Sequence, residues 1–153
     1  MKKIIKVLCG IIIGILLLFI ILTKRIEING YSMEPTLKNS DIVLIKKMLP
    51  INKIKRNEII LAEDPYNENN KIIKRVIGLP GETIYCMDGE IYVNNTKMED
   101  VNQMNKRTKN FGPIKLSEDQ YFILGDNRNK STDSRIFGAI NKNKIIGVFI
   151  KKL

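Results

Sequence analysis

The chain contains no histidine, and only two cysteines among its 153 residues. Without histidine, Ser-His-Asp and Cys-His mechanisms are excluded, as is any His-ligated metal site. Cys9 lies inside a long apolar run and Cys86 far from it, so the pair makes neither a disulfide framework nor a metal cluster. Hydrolytic chemistry, if present, must use Ser, Thr, Lys, Asp or Glu, and no metal or cofactor is implied. Acids are also missing from the first 26 residues, where Lys2, Lys3, Lys6, Lys24 and Arg25 stand unopposed before Glu27. The net charge is +10, yet the lysines are spread evenly and lack the interleaved aromatics of a nucleic-acid surface, so no nucleic acid is expected as a partner. Attraction to anionic lipid headgroups is the better use of that charge. Amphipathic helices of twelve or more residues and internal repeats are absent too.

What is present begins with an apolar segment. Val7–Leu22 is unbroken, and extending it to Ile4 lets Lys6 snorkel and makes the segment long enough to span a bilayer. A cleaved signal segment would end in a small-x-small site. Here the exit reads Leu22-Thr23-Lys24-Arg25-Ile26-Glu27, which predicts a permanent anchor over residues 1–25. The bias of Lys2, Lys3 and Lys6 over Lys24 and Arg25 places the amino end inside and the following domain outside. Beyond residue 26 the pattern is that of short strands. Asp41–Lys46, Glu58–Ala62, Lys71–Gly78, Thr83–Met87, Glu90–Val93, Tyr121–Leu124 and Lys144–Ile150 are β-branched or aromatic runs bounded by polar clusters. Asp88-Gly89 between two of them is a hairpin signal. These runs predict a mostly antiparallel β domain over 26–153, with a mobile excursion near 94–112.

Three stretches carry residues able to do chemistry. The first is Ser32-Met33-Glu34-Pro35-Thr36-Leu37, which read alone is a turn containing a capping serine. The second surrounds Lys74, placed in the apolar run Ile72-Ile73-Lys74-Arg75-Val76-Ile77. A lysine can act as base only when burial lowers its pKa by several units. Lys46 lies at the end of a run beside Lys47, where both ammonium groups reach water. Lys74 is thus the better candidate, the alternative being a strand-edge lysine that discourages aggregation. The third is Gly125–Arg135, whose Asp126, Arg128, Asp133 and Arg135 suit a polar network.

Taken in order, an apolar anchor, Ser32-Met33-Glu34-Pro35-Thr36, Lys74–Glu82 and the pattern G-D-N-R-x-x-S-x-D-S-R over Gly125–Arg135 resemble the bacterial type I signal peptidases. These are membrane-bound serine proteases that remove signal peptides from exported proteins. The resemblance implies that Ser32 is the nucleophile and Lys74 the general base. It implies that Ser131 orients that lysine, and that Asp133, Arg135, Arg75 and Asp126 hold the site together. The physical chemistry agrees: a neutral amine wants a neutral partner such as Ser131, so Asp133 should pair with an arginine. Pro35 fixes the backbone after the nucleophile, whose N–H is one oxyanion donor. The second donor is not assigned, because Gly30 stands where some members carry a serine, as it does in many Gram-positive-type members. Arg56-Asn57-Glu58-Ile59-Ile60 departs from the family's R-G-D-I-V, with Asn57 replacing a glycine at a turn where positive φ is tolerated. Exported preproteins are the implied partners, at the cytoplasmic membrane. Two alternatives stand beside this reading. One is a self-cleaving repressor, for which a DNA-binding domain and an internal cleavage pair are missing. The other is a non-catalytic membrane-tethered β module or inactive paralogue, against which intact Ser32, Lys74 and Ser131 speak.

Overall fold

A computed structural model describes residues 2–49, 53–99 and 108–153. The apolar run forms helix α1 (Lys2–Leu22), with a mean hydropathy of 3.1 over its best window and none of its residues buried. It is apolar on every side, which suits a lipid-facing helix long enough to cross a bilayer. Strand β1 (Thr23–Glu27) follows with no linker, and Thr23 Oγ1 donates to the Phe19 carbonyl at 2.8 Å.

The rest of the chain is antiparallel β structure, as the strand pattern predicts, but divided between two sheets. The larger sheet contains β1, β2 (Ile42–Lys47), β3 (Ile59–Asp64) and β4 (Asn67–Gly78). It is completed by β9 (Gln120–Leu124), β10 (Ile140–Asn141) and β11 (Ile145–Lys152). Its order is β1-β2-β11-β3-β4-β9-β10. The smaller sheet runs β7-β6-β5-β8, formed by β5 (Thr83–Met87), β6 (Glu90–Val93), β7 (Thr96–Lys97) and β8 (Phe111–Lys115). Both β7 and the start of β8 fall within the 94–112 interval read as an excursion; residues 100–107 of that interval lie outside the described residues.

Local chemistry explains the turns. Asp88 (φ 53°) and Gly89 (φ 83°) both take positive φ between β5 and β6, as a two-residue hairpin matched to strand twist requires. Asn57 occupies φ 69° just before β3, the conformation asparagine tolerates better than most residues. The large sheet is covered on both faces, which is why its strands read as continuous apolar runs rather than alternating ones. On one face Ile59, Leu61 and Ile73 pack with Met33, Leu37, Val43 and Ile45. On the other, Ile60, Ala62 and Val76 pack with Tyr121, Ile123 and Ile145. A third cluster joins the two sheets: Ile77, Phe122 and Leu124 meet Ile84, Ile91 and Val93. The first of these clusters sets the position of the nucleophile segment.

Candidate active site

After β1 the chain makes a compact loop closed by backbone bonds from Ile28 to Asp41 and from Ser40 to Ile28, each 2.8 Å. Met33 and Leu37 are both 1% exposed and plug this loop into the core under β2 and β3. Ser32, one residue before the Met33 plug, is thereby held at the surface of that core. Its carbonyl accepts from the Asn127 backbone N–H at 2.9 Å, tying the loop to the Gly125–Arg135 segment.

Lys74 comes from the buried half of β4, opposite Ile60 of β3, and is 5% exposed. Its Nζ donates to Ser32 Oγ at 2.8 Å and to the Ile73 carbonyl at 3.1 Å. Burial lowers its pKa from the ordinary 10.5 to about 8, against the opposing pull of the negative charges on Asp133 and Asp64. The structure therefore brings Ser32 and Lys74 together in the geometry of a nucleophile and its base. Lys46, by contrast, is exposed.

The charged residues divide into two pairs, each built on a buried carboxylate. Asp126 accepts from Arg75 Nε at 2.7 Å and from Nη2 at 2.6 Å, a two-pronged bond between side chains that are both nearly fully buried. Arg75 Nη1 reaches the Asn57 carbonyl at 2.7 Å, and Thr36 Oγ1 donates to Asp126 Oδ2. Asp133, wholly buried, accepts from Arg135 Nε and Nη2 at 2.8 Å each, the arginine pairing that the sequence argument asks for. It also accepts from the Gly125 N–H at 3.0 Å and caps the short helix α2 (Ser134–Phe137). Arg128 braces the same segment through the Gly125 carbonyl at 3.0 Å and Thr108 Oγ1 at 3.1 Å.

Ser131 lies beside the Ser32 segment, across Gly125. Its Oγ is 2.3 Å, and the Ser32 carbonyl oxygen 2.6 Å, from the point where a Cβ on Gly125 would sit. That hydroxyl is buried and makes no hydrogen bond among the described residues; Lys74 Nζ is bonded to Ser32 and Ile73 instead. The Ser32 N–H likewise donates to no group among the described residues, as an oxyanion donor must. Gly30 has φ 111° and gives its own N–H to Asn39 Oδ1 at 2.9 Å. Residue 30 thus supplies neither a side-chain donor nor a free amide.

Three contributors escape a reading of the sequence. Asp64 places a charge near Lys74, and Asn127 and Asn57 meet the site through backbone groups, the Asn127 N–H on Ser32 and the Asn57 carbonyl on Arg75. Backbone donors and acceptors leave no mark on residue type, and Asp64 reads as an ordinary turn residue. A cavity of about 430 Å³ opens beside Ser32 and Lys74. Ser32, Lys74 and Asp64 line it together with the apolar side chains of Ile26, Ile28 and Ile72.

Comparison with known proteins gives the chain's family. The family described as "Signal peptidase, peptidase S26" matches residues 1–151. Signal peptidase I P of Bacillus subtilis subsp. natto is 36% identical over 91% of this chain and 83% of its own length. Signal peptidase I of Bacillus licheniformis is 34% identical over 90% of this chain and 82% of its own. The crystal structure of a signal peptidase I from Enterococcus faecalis superposes with a TM-score of 0.56 at 33% identity, covering 64% of this chain and 97% of that one. By motif, by fold and by overall similarity, the chain belongs to the signal peptidase family, peptidase S26.

Proposed function

We propose that this chain is a membrane-anchored serine endopeptidase that removes N-terminal signal peptides from exported preproteins after small residues, with Ser32 and Lys74 as a catalytic dyad. The observation that carries the reading is the 2.8 Å contact between Lys74 Nζ and Ser32 Oγ at a lysine that is 5% exposed. Neutral Lys74 takes the Ser32 proton as Oγ attacks the scissile carbonyl. The unengaged Ser32 N–H stabilises the resulting oxyanion. Lysinium then protonates the leaving amine, forming an acyl-enzyme that water, deprotonated by Lys74, releases as the free acid.

The supporting residues keep charge where this cycle needs it. Arg135 neutralises Asp133, Arg75 neutralises Asp126, and the small hydroxyl of Ser131 fills the remaining space beside the dyad. Strand β1 is an edge of its sheet, and Ile26 and Ile28 line the cavity, so an extended substrate can add to that edge while its side chains enter the apolar wall. The anchor over residues 1–25 lies in the cytoplasmic membrane with its amino end inside, and the peptidase domain over 26–153 works on the outer face. Its partners are exported preproteins and the lipid surface at the anchor's exit.

The test uses the full chain in detergent with a preprotein substrate. Cleavage at a small-x-small site is expected from the unmutated chain and a loss of at least a thousandfold from Ser32→Ala and from Lys74→Ala. Undiminished cleavage by Lys74→Ala would overturn the dyad.

A further inference from the structure

The register of β1, β2 and β11 collects three cations on one sheet face next to the end of α1. Lys46 stands opposite Thr23, the first residue after the helix, and opposite Val148 on its other side. Two residues along, Leu44 stands between Arg25 of β1 and Lys151 of β11. Residues that face each other across antiparallel strands share a face, as do residues two apart along one strand. Arg25, Lys46 and Lys151 therefore form a triangle around Leu44.

All three are exposed, and none has an acidic partner among the described residues. Their neighbourhood does contain acids. Glu27 shares the face two residues beyond Arg25 without pairing, and Asp41 is taken by Lys152 at 2.7 Å. Like charges on adjacent strands repel, so a triangle of this kind is unfavourable unless an anion from outside shares it. Next to the triangle, β11 is irregular: its register with β2 shifts between Phe149 and Lys151, leaving Ile150 as the extra residue, 44% exposed. A bulge re-aims the side chain it inserts, and here the side chain is apolar and immediately precedes Lys151. Arg25 lies about 10 Å of strand beyond Leu22, the end of α1, and Lys151 stands level with it across Leu44, about one Debye length from any surface that α1 emerges from.

We infer that Arg25, Lys46 and Lys151 form a binding surface for the phosphates of anionic phospholipids, with Ile150 reaching into the adjoining acyl boundary. This rests on the reading that α1 spans a membrane, but not on any peptidase activity. Four contacts at the helix exit fix the tilt of the sheet against the bilayer, so the surface orients the cavity beside Ser32 and does not merely tether it.

The full chain, purified in detergent, is offered equal amounts of phosphatidylglycerol and phosphatidylcholine, and retained lipid is counted by native mass spectrometry. About tenfold preferential retention of phosphatidylglycerol is expected. The variant Arg25→Gln/Lys46→Gln/Lys151→Gln should lose most of that preference. A control that removes the same charge at exposed positions elsewhere, Lys38→Gln/Lys55→Gln/Lys109→Gln, should keep it. Equal retention of both lipids by the unmutated chain would overturn the inference. So would a preference that survives the triple change, which would assign it to Lys2, Lys3 and Lys6, or one lost equally in the control, which would assign it to net charge. Since the readout is bound lipid, a failure of the peptidase reading would show separately, as cleavage that does not depend on Ser32.

Discussion

At the scale of the residue, the proposed chemistry turns on one ammonium group. A lysine with a pKa of about 8 is neutral in roughly one molecule in ten at pH 7, against about one in 2,500 for a free lysine. The sign of the pH dependence follows. Below that pKa Lys74 is protonated and cannot accept the Ser32 proton, so kcat/KM should climb with pH and level off above about 8. Asp64 contributes a negative charge that favours the protonated form. In Asp64→Asn the rising limb should therefore move to lower pH, by up to about one unit, with the plateau less affected. A pH profile measured on a short peptide substrate checks this; a limb unmoved by Asp64→Asn would remove Asp64 from the electrostatics of the dyad. The candidate status of Lys74 was legible in the sequence because an isolated cation in an apolar strand is costly. Its hydrogen bond to the Ile73 carbonyl was not legible, since a backbone acceptor has no side-chain signature.

At the scale of the element, the nucleophile loop and the Gly125–Arg135 segment are pressed together with no spare volume. Gly125→Ala would put a methyl group 2.3 Å from Ser131 Oγ and 2.6 Å from the Ser32 carbonyl oxygen. Neither a backbone carbonyl nor a hydroxyl wedged behind the nucleophile can yield without displacing Ser32. Loss of positioning by about 1 Å costs about a hundredfold, so kcat should fall by that order while the melting temperature changes by only a few degrees. Steady-state kinetics beside a thermal melt separate the two effects. The pattern G-D-N-R-x-x-S-x-D-S-R makes this segment recognisable, and that Asp133 pairs with an arginine follows from charge alone, though the choice of Arg135 does not. That Asp126 pairs across the sheet with Arg75, and that Thr36 joins them, depends on the meeting of β4, the loop after β1 and the turn after β9. Contacts between residues 36, 75 and 126 require the strand order, which local pattern does not contain.

At the scale of the whole molecule, strand existence was legible and strand order was not. β-branched and aromatic runs bounded by turn residues mark where β2, β3, β4, β5, β6, β9 and β11 run. Nothing local says that β11 pairs with both β2 and β3, with Val148 lying between Lys46 and Ile60. The decision comes from burying Ile145 against Ile60, Ala62 and Tyr121 on one face while Phe149 packs against the cluster of Val43 and Ile45 on the other. Because β11 is, among the described residues, the strand that links β1-β2 to β3-β4-β9 in the sheet, a chain ending at Lys144 should fail to fold. Its expected behaviour is the loss of cooperative melting together with all cleavage, even though Ser32, Lys74 and Ser131 remain in the sequence; limited proteolysis of the truncated chain in detergent checks it.

The central place of β11 also has a consequence in time. Ser32 belongs to the part of the sheet led by β1 and β2, Lys74 to the part built on β3 and β4, and synthesis delivers both long before the strand that joins them. Until β11 leaves the ribosome, the two halves of the dyad have no shared sheet to stand on. At translation rates of about 5–20 residues per second, the roughly seventy residues that separate Lys74 from β11 take several seconds. For that interval a newly inserted chain would sit among the translocating segments of other proteins as a harmless neighbour, the proposed dyad assembling only when β11 slides into the gap.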